Sequence, residues 1–307
     1  MGGISRISIV ALAVLAGCSM SSGRQESFGR IERLAEASRW HYQLQNVDPG
    51  LLAPEAYDVQ VIDRLNDEGE PWSSEVIDTL RGEDGQGLVL CYLSIGEAED
   101  YRDYWDEDWT TNPPEWLGPE NPEWPGNYPV KFWYPEWLEI IGRDADAAVH
   151  AGFDGLYLDR VDAYWYWSAE ADEDDIVEEE FAAAKMIDLV GSLALRARQI
   201  DGGDFLIVPQ NSALIGDAAP SKAGEYLSMI DAIGVEDVLF NGNLPENNQW
   251  HPDLEVIEAL DAYQVEGKVV LSVEYLTDPD LVQRYLEEAN NRGYMPFVAR
   301  SRELDEK

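Results

Sequence analysis

The sequence predicts a single α/β domain folded as a (β/α)8 barrel, the TIM barrel. Three observations predict this fold: eight short strand-like runs, helical patterns between most of them, and acidic or amide residues where the strands end. The 307 residues suffice for one such barrel. The alternative is an open doubly wound sheet. It would need a glycine-rich phosphate loop after its first strand, and the sequence has none.

The strand-like runs are rich in apolar and aromatic residues and are bounded by turn-forming residues. They lie near Tyr42, Val59, Leu90, Tyr157, Ile207, Ile233, Leu271 and Phe297. Helical patterns cover residues 73–81, 135–150, about 174–197, 253–263 and 278–290. The last of these begins with Asp278 as its N-cap and Pro279 at the first helical position.

The segment from Tyr101 to Trp137 differs in composition from the rest of the chain. It contains six tryptophans and seven prolines and shows no helical or strand period. We interpret it as a long irregular insertion after the third strand, and long loops in compact domains are often functional. Exposed indole rings there would suit stacking on sugars, whereas buried ones would pack the insertion onto the barrel.

The N-terminus carries a targeting signal. Arg6 precedes an apolar run over residues 7–16 that is too short to span a bilayer, and Leu15-Ala-Gly-Cys18 follows. This ending resembles the lipobox of bacterial lipoproteins. Residues 1–17 are therefore predicted to be a signal peptide, 18–38 a tether with a short helix between Phe28 and Ser38, and 39–307 the barrel. The alternative is an ordinary signal peptide.

A lipid on Cys18 would attach the protein to a membrane, so we expect a lipid-anchored or secreted protein of the cell envelope. The formal net charge of −40 makes nucleic acid an improbable partner, because phosphates would be repelled. The acidity has two compatible explanations, adaptation to high salt and attraction of a cationic substrate. The three histidines lack zinc-ligand spacing, and Cys91 is expected to be a small core residue. We expect a monomer.

Carboxylates and amides recur at the predicted strand ends, which converge on one face of a barrel. They are Asp63, Glu97, Asp159 with Asp162, Gln210 with Asn211, Glu236 with Asp237, and Glu274 with Tyr275. Such a ring fits glycoside hydrolysis, which uses two carboxyl groups across the scissile bond. Two alternatives remain open: a divalent-metal site formed by Asp63, Glu97 or Asp159, and a carbohydrate-binding protein without turnover.

Four segments carry a recognisable pattern: Cys91-Tyr-Leu-Ser-Ile-Gly-Glu-Ala-Glu-Asp-Tyr-Arg-Asp-Tyr-Trp105, Gly152-Phe-Asp-Gly-Leu-Tyr-Leu-Asp159, Val208-Pro-Gln-Asn211 and Gly234-Val-Glu236. Together they resemble glycoside hydrolase family 114, the endo-α-1,4-polygalactosaminidase family. The resemblance extends from about Trp40 to Val298. It implies a (β/α)8 barrel that cleaves α-1,4-linked galactosamine polymers without a cofactor.

The resemblance also implies roles for individual residues. The family's catalytic pair lies after strands four and six, which corresponds to Asp159 as nucleophile and Glu236 as general acid/base. The substrate would be bound by Tyr42, Asp63, Glu97, Asn211, Glu274 and Tyr275. Apart from the resemblance, we expect Arg160 and Asp162 to form a structural ion pair, and Tyr157, inside its strand, to pack in or line the barrel.

Overall fold

The fold is the predicted α/β barrel of parallel strands and surrounding helices. The computed structural model describes residues 29–55 and 57–305. The eight barrel strands are β1 Trp40–Tyr42, β2 Val59–Asp63, β3 Leu88–Ser94, β4 Gly155–Asp159, β5 Leu206–Pro209, β6 Ala232–Glu236, β7 Val269–Tyr275 and β8 Met295–Ala299. All eight lie within the runs that the sequence indicates.

The strands follow one another around the barrel in chain order. Parallel hydrogen bonding joins β1 through β5 in one sheet and β6 through β8 in a second. A parallel bridge between Gln210 and Gly234 connects β5 to β6. Between β8 and β1, the Trp40 indole donates a hydrogen bond of 2.8 Å to the carbonyl of Met295.

Successive side chains of each strand point alternately into the barrel and out toward the helices. The inward set forms one apolar cluster, whose largest members are the aromatic rings of Trp40, Tyr42, Tyr92, Tyr157 and Tyr275. The ring centroids of Tyr42 and Tyr157 lie 5.1 Å apart. The expectation that Tyr157 packs inside the barrel is therefore confirmed. The outward side chains pack against the helices in a second and larger cluster.

Every predicted helix is present, with ends shifted by a few residues, and the structure adds four short helices that the sequence does not indicate, at Pro49–Leu52, Ala163–Trp165, Ile215–Ala218 and Ala223–Met229. They are α1 Arg30–Glu36, α2 Pro49–Leu52, α3 Ser74–Leu80, α4 Pro135–Ala151, α5 Ala163–Trp165, α6 Glu179–Asp201, α7 Ile215–Ala218, α8 Ala223–Met229, α9 Leu254–Val265 and α10 Pro279–Asn291. Asp278 caps α10 by accepting hydrogen bonds from the backbone amides of Asp280 and Leu281. None of the helices in the described ranges has the length and apolarity required to cross a bilayer.

Helix α1 closes the end of the barrel at which the strands begin. Its Leu34 belongs to the interior cluster. The guanidinium of Arg30 donates to Asp154, just before β4, at 3.0 Å and to Asp201 at 2.8 Å. Arg81 approaches the same buried Asp154 carboxylate at 2.9 Å. The described chain therefore begins at the face opposite the carboxyl ends of the strands.

The insertion after β3 is more ordered than the sequence indicates. Its strand Asn127–Pro129 pairs antiparallel with Glu97–Glu99, and a 3-10 turn covers Glu107–Thr110. The expectation of a wholly irregular segment is thus wrong, because this antiparallel pair of strands supplies a local ladder of backbone hydrogen bonds. Five of its tryptophans (105, 109, 116, 133 and 137) pack against the core, whereas Trp124 is 41% exposed.

Cys91 is buried in the core, as expected. The predicted signal peptide and the lipidation residue Cys18 lie outside the described residues. The proposed division of the chain at residues 17 and 38 remains a prediction.

Candidate active site

A ring of polar side chains surrounds the carboxyl end of the barrel. Each belongs to the inward-facing series of its strand, so the two-residue period of the strands brings them to one mouth. The ring consists of Tyr42 from β1, Asp63 from β2, Tyr92 from β3, Asp159 from β4, Gln210 after β5, Glu236 from β6 and Tyr275 from β7. These residues line a cavity of about 820 Å³.

Glu236 is held by hydrogen bonds at both carboxylate oxygens. The hydroxyl of Tyr275 donates to Oε1, and the side-chain amides of Gln210 and Asn211 donate to Oε2, with 2.9 Å from Asn211. The backbone amide of Glu236 in turn donates to Oδ1 of Asn211 at 3.0 Å. These contacts leave the carboxylate little rotational freedom, which is what a proton-transfer group requires.

Burial raises the pKa of Glu236 to about 7, and the negative charge of Asp159 contributes to the rise, against the opposing hydrogen bonds from Tyr275 and Asn211. A carboxyl group with such a pKa carries its proton into the neutral range. The arrangement thus pairs a carboxyl group that can donate a proton with a second carboxylate, Asp159, in the same cavity.

Asp159 receives one hydrogen bond from its neighbour on β3, because the hydroxyl of Tyr92 donates to its Oδ2 at 2.7 Å. Sequence reasoning did not assign a role to Tyr92, and it noted Gln210 only as a strand-end amide. The available signal was the strand alternation. It groups Tyr92 with Leu90 and Gln210 with Val208, and the structure shows that these series face the barrel interior together with Asp159 and Glu236.

The residues that follow the ring positions bend the chain sharply. Arg160, Asn211 and Asp237 adopt left-handed backbone conformations, with φ of 59°, 55° and 54°. Arg160 and Asp237 directly follow the inward residues that end β4 and β6, and Asn211 follows Gln210, the inward residue after β5. Non-glycine residues adopt this conformation at a cost, and such strain is common where side chains must be aimed at a site.

Asp63 lies in the cavity wall, as predicted, but its oxygens are already engaged. Arg102 of the insertion donates to both of them at 2.7 Å. The same guanidinium also donates to Glu99 at 2.5 Å. Asp63 therefore helps to fix the insertion against β2, and a sugar hydroxyl would have to share its oxygens with Arg102.

Glu97 also lines the cavity and is almost completely buried. Its Oε1 accepts a hydrogen bond of 3.0 Å from Asn121 and lies 3.1 Å from the guanidinium of Arg160. Arg160 is also 3.8 Å from Asp162, so the expected ion pair of Arg160 and Asp162 is present and Glu97 joins it as a third member. Burial raises the pKa of Asp162 to about 6.

The other predicted substrate contacts divide into two groups. Tyr42, Asn211 and Tyr275 line the cavity, although Asn211 and Tyr275 are both engaged with Glu236. Glu274 does not line it. Its side chain is fully buried, and its Oε1 accepts a hydrogen bond of 2.7 Å from the backbone amide of Leu239.

The prediction that Glu274 contacts substrate is therefore corrected. The reason is the two-residue period of β7, which turns Val273 and Tyr275 into the barrel and Glu274 outward. Burial raises the pKa of Glu274 to about 8.

Within residues 29–55 and 57–305, no group of three or more histidine, cysteine, aspartate or glutamate side chains is arranged to hold a metal ion. Asp63, Glu97 and Asp159, which offered an alternative metal site on sequence grounds, do not form such a group in this part of the chain.

Comparison with known proteins places the chain among relatives along most of its length. The family model described as glycoside-hydrolase family GH114 matches residues 24–307. An uncharacterized protein of Methanocaldococcus jannaschii is 38% identical over 277 residues, covering 87% of this chain and 77% of its own length. One from Thermotoga maritima is 37% identical over 311 residues, covering 98% and 90%.

Two solved structures share the fold. Aspergillus fumigatus Ega3, in complex with galactosamine, superposes with a TM-score of 0.63 at 18% identity over 88% of this chain and 93% of that one. The glycoside hydrolase domain of PelA from Pseudomonas aeruginosa gives a TM-score of 0.64 at 15% identity, over 88% and 97%.

Proposed function

The chain belongs to glycoside-hydrolase family GH114, and from that premise we propose that it hydrolyses an α-1,4-linked galactosamine polymer with Asp159 and Glu236 as its catalytic pair. The observation that carries the proposal is their arrangement. Both carboxyl groups face one cavity from the ends of β4 and β6, and Glu236 has a pKa raised to about 7 by its burial and by the charge of Asp159.

In the proposed reaction, protonated Glu236 donates its proton to the glycosidic oxygen while Asp159 attacks the anomeric carbon. The bond to the leaving sugar breaks, and a glycosyl–Asp159 ester forms. Glu236, now ionised, then takes a proton from a water molecule that attacks the anomeric carbon and releases Asp159. The pKa of Glu236 suits both steps near neutral pH, and two inversions retain the configuration of the anomeric carbon.

The charge of the protein supports an amino-sugar substrate. A net charge of −40 attracts a polymer whose deacetylated units carry ammonium groups. Ega3, which shares the fold, was solved with galactosamine bound. Glu97 and Glu99 also line the cavity and add to its negative potential, although their oxygens are already paired with Arg160 and Arg102.

The direct test is to incubate the protein with partially deacetylated α-1,4-galactosaminan and to measure hydrolysis as the reducing ends that are released. We expect the parent protein to release oligosaccharides and Asp159→Asn and Glu236→Gln each to lose at least about a thousandfold in kcat, as expected for removal of a catalytic group. Glu303→Gln removes a carboxylate from the same cavity and should stay near the parent rate.

Two results would contradict the proposal. Degradation of a neutral glycan but not of galactosaminan would reject the substrate, and full activity of either carboxamide variant would reject the pair. A parent protein that binds the polymer without cleaving it would support the alternative, a non-catalytic carbohydrate-binding protein.

We further propose that Cys18 carries a lipid that anchors the protein to a membrane of the cell envelope. The described chain begins beside α1, at the barrel face opposite the cavity. An anchor ahead of α1 would therefore leave the cavity facing away from the membrane and open to a polymer. The test is mass spectrometry of the N-terminal peptide and membrane fractionation of Cys18→Ser, which should be released into the soluble fraction.

A further inference from the structure

The active-site cavity continues into a second and larger one. This second cavity has a volume of about 1290 Å³, and we call it the acidic arm. It shares Glu97, Trp124, Arg160, Asn211 and Glu236 with the first cavity. Glu236 therefore stands where the two meet, and a linear polymer lying through both would pass the catalytic pair.

One large aromatic side chain in the wall of the acidic arm has no role in the reaction described above. Trp165, at the end of α5, lines the arm and is 51% exposed. The neighbouring Trp167 is buried, and its indole donates a hydrogen bond of 2.7 Å to the carbonyl of Val130 in the insertion. A single anchored turn thus buries one indole and exposes the other.

The backbone around Trp165 is unusual. A π-helical turn covers Tyr166–Glu170 and follows α5 directly. Such turns are rare and occur mostly as short insertions near functional sites, where they change the direction of side chains. Backbone hydrogen bonds hold the turn: Trp165 N, directly before it, donates to the carbonyl of Asp162 at 2.8 Å, Ala171 N, directly after it, donates to that of Tyr166 at 2.9 Å, and Val177 N donates to that of Trp167 at 3.0 Å. Trp165 is therefore presented on an ordered segment.

The charge of the acidic arm is strongly one-sided. Among the described residues that line it, eleven are acidic and one, Arg160, is basic. Arg160 is itself paired with Glu97 at 3.1 Å. A ligand that suits this arm combines an apolar ring face, which stacks on an indole, with a positive charge, which carboxylates attract. A hexosamine with a free ammonium group has both properties.

We propose that Trp165 is a stacking platform for a deacetylated hexosamine unit that lies in the acidic arm, beyond the bond being cleaved. The proposal rests on the proposed glycosidase function and specifies how that site holds a long substrate. Trp165 is a specificity-determining residue in this account, because it contacts a sugar distant from the reacting atoms. It favours long and deacetylated chains over short or acetylated ones.

The test compares Trp165→Ala with the parent protein on α-1,4-galactosamine oligomers of increasing length. We expect KM for long oligomers to rise roughly threefold to tenfold, the effect of one lost aromatic stacking contact, with kcat unchanged. Short oligomers that do not reach the arm should show no change. Trp165→Phe should recover much of the loss. Phe181→Ala is the matched control, since Phe181 is 41% exposed but lines neither cavity.

Calorimetric titration of the same oligomers separates failure of this proposal from failure of the proposed function. A parent that binds long oligomers more tightly than Trp165→Ala but cleaves none of them would reject the glycosidase and retain the platform. Three results would overturn the platform. Parent and Trp165→Ala could have equal KM values for long oligomers, Trp165→Ala could raise KM equally for short and long oligomers, or the parent could bind no oligomer at all. N-acetylated oligomers that bind as tightly as free amines would overturn the assignment of a deacetylated unit.

Discussion

The hydroxyl of Tyr92 lies 2.7 Å from Oδ2 of Asp159 and donates a hydrogen bond to it. The two side chains come from neighbouring strands whose register pairs Tyr92 with Tyr157 and Ser94 with Asp159. Tyr92 therefore reaches up from within the barrel to the carboxylate above it. In the proposed reaction this bond orients the nucleophile without occupying its other oxygen.

Replacement of Tyr92 by phenylalanine should slow the reaction without unfolding the barrel. A hydrogen bond to a charged group contributes roughly 1.5–3 kcal/mol, which corresponds to about a tenfold to hundredfold loss in kcat. KM should change much less. Steady-state kinetics on galactosaminan measure both, and Tyr128→Phe, a tyrosine of the insertion that lines neither cavity, is the control. Unchanged kcat for Tyr92→Phe would remove this residue from the catalytic account.

Replacement of Tyr275 by phenylalanine should move the pH profile of the reaction upward. The hydroxyl donates to Glu236 and opposes the rise of its pKa, because a hydrogen bond to the carboxylate favours the ionised form. Without that donor the pKa of Glu236 rises above its present value of about 7. Since the general acid must be protonated, activity should persist to a pH higher by about one unit.

The measurement is kcat/KM as a function of pH for the parent and Tyr275→Phe. The upper limb of the profile reports the proposed acid in the free enzyme. A limb that stays in place or moves to lower pH would contradict the assignment of Glu236 as the acid.

Much of the barrel could be predicted because its strands are short apolar runs that end in polar residues. The run over Leu88–Ser94 illustrates both the success and its limit. Apolar residues fill both of its faces, so composition identifies a strand but not the direction of Tyr92. Only the three-dimensional register shows that this hydroxyl meets Asp159.

Glu274 and Tyr275 are adjacent and both are predicted to bind substrate, but only Tyr275 lines the cavity. Both end β7, and residue type alone favours the carboxylate as a sugar ligand. The pleat turns Tyr275 to Glu236 and Glu274 to Leu239, on opposite sides of the barrel wall. Trp165 could not have been assigned from sequence, because the π-helical turn that follows it has no periodic signature.

Gly234 on β6 should not tolerate a side chain. A Cβ there would overlap the hydroxyl oxygen of Tyr157, whose ring is fully buried beneath the catalytic pair. Gly234→Ala should therefore destabilise the protein by about 1–3 kcal/mol through overpacking. Denaturant unfolding measures the loss.

Gly224, on α8, provides the matched control because, apart from its chain neighbours and the nearby backbone of its own helix, no group lies within 4 Å of the position that a Cβ would occupy there. Gly224→Ala should stabilise the helix by about 0.5–1 kcal/mol. Equal stability for Gly234→Ala and the parent would show that the Tyr157 ring moves freely, which would contradict the close packing beneath the pair.

Glu274 should make the folded protein less stable as pH rises. Burial raises its pKa in the folded state to about 8, above the ordinary value of 4.5. Between these values the folded state retains a proton that the unfolded state has released, so the free energy of unfolding falls with increasing pH. Glutamine cannot ionise, and its side-chain oxygen can still accept the hydrogen bond from Leu239 that Glu274 accepts at 2.7 Å.

The difference in the free energy of unfolding between Glu274→Gln and the parent should therefore increase by roughly 2–4 kcal/mol, in favour of the variant, when the pH is raised from 5 to 8. Urea unfolding of both proteins at the two pH values measures this change. Other carboxyl groups with raised pKa contribute equally to both proteins, so their contributions drop out of the comparison. Glu258→Gln, on the exposed face of α9, removes one charge at the surface and should show no such gain. If Glu258→Gln gained as much as Glu274→Gln, relief of general charge repulsion would explain the effect. In that case Glu274 would be ionised in the folded protein, despite its complete burial behind β7.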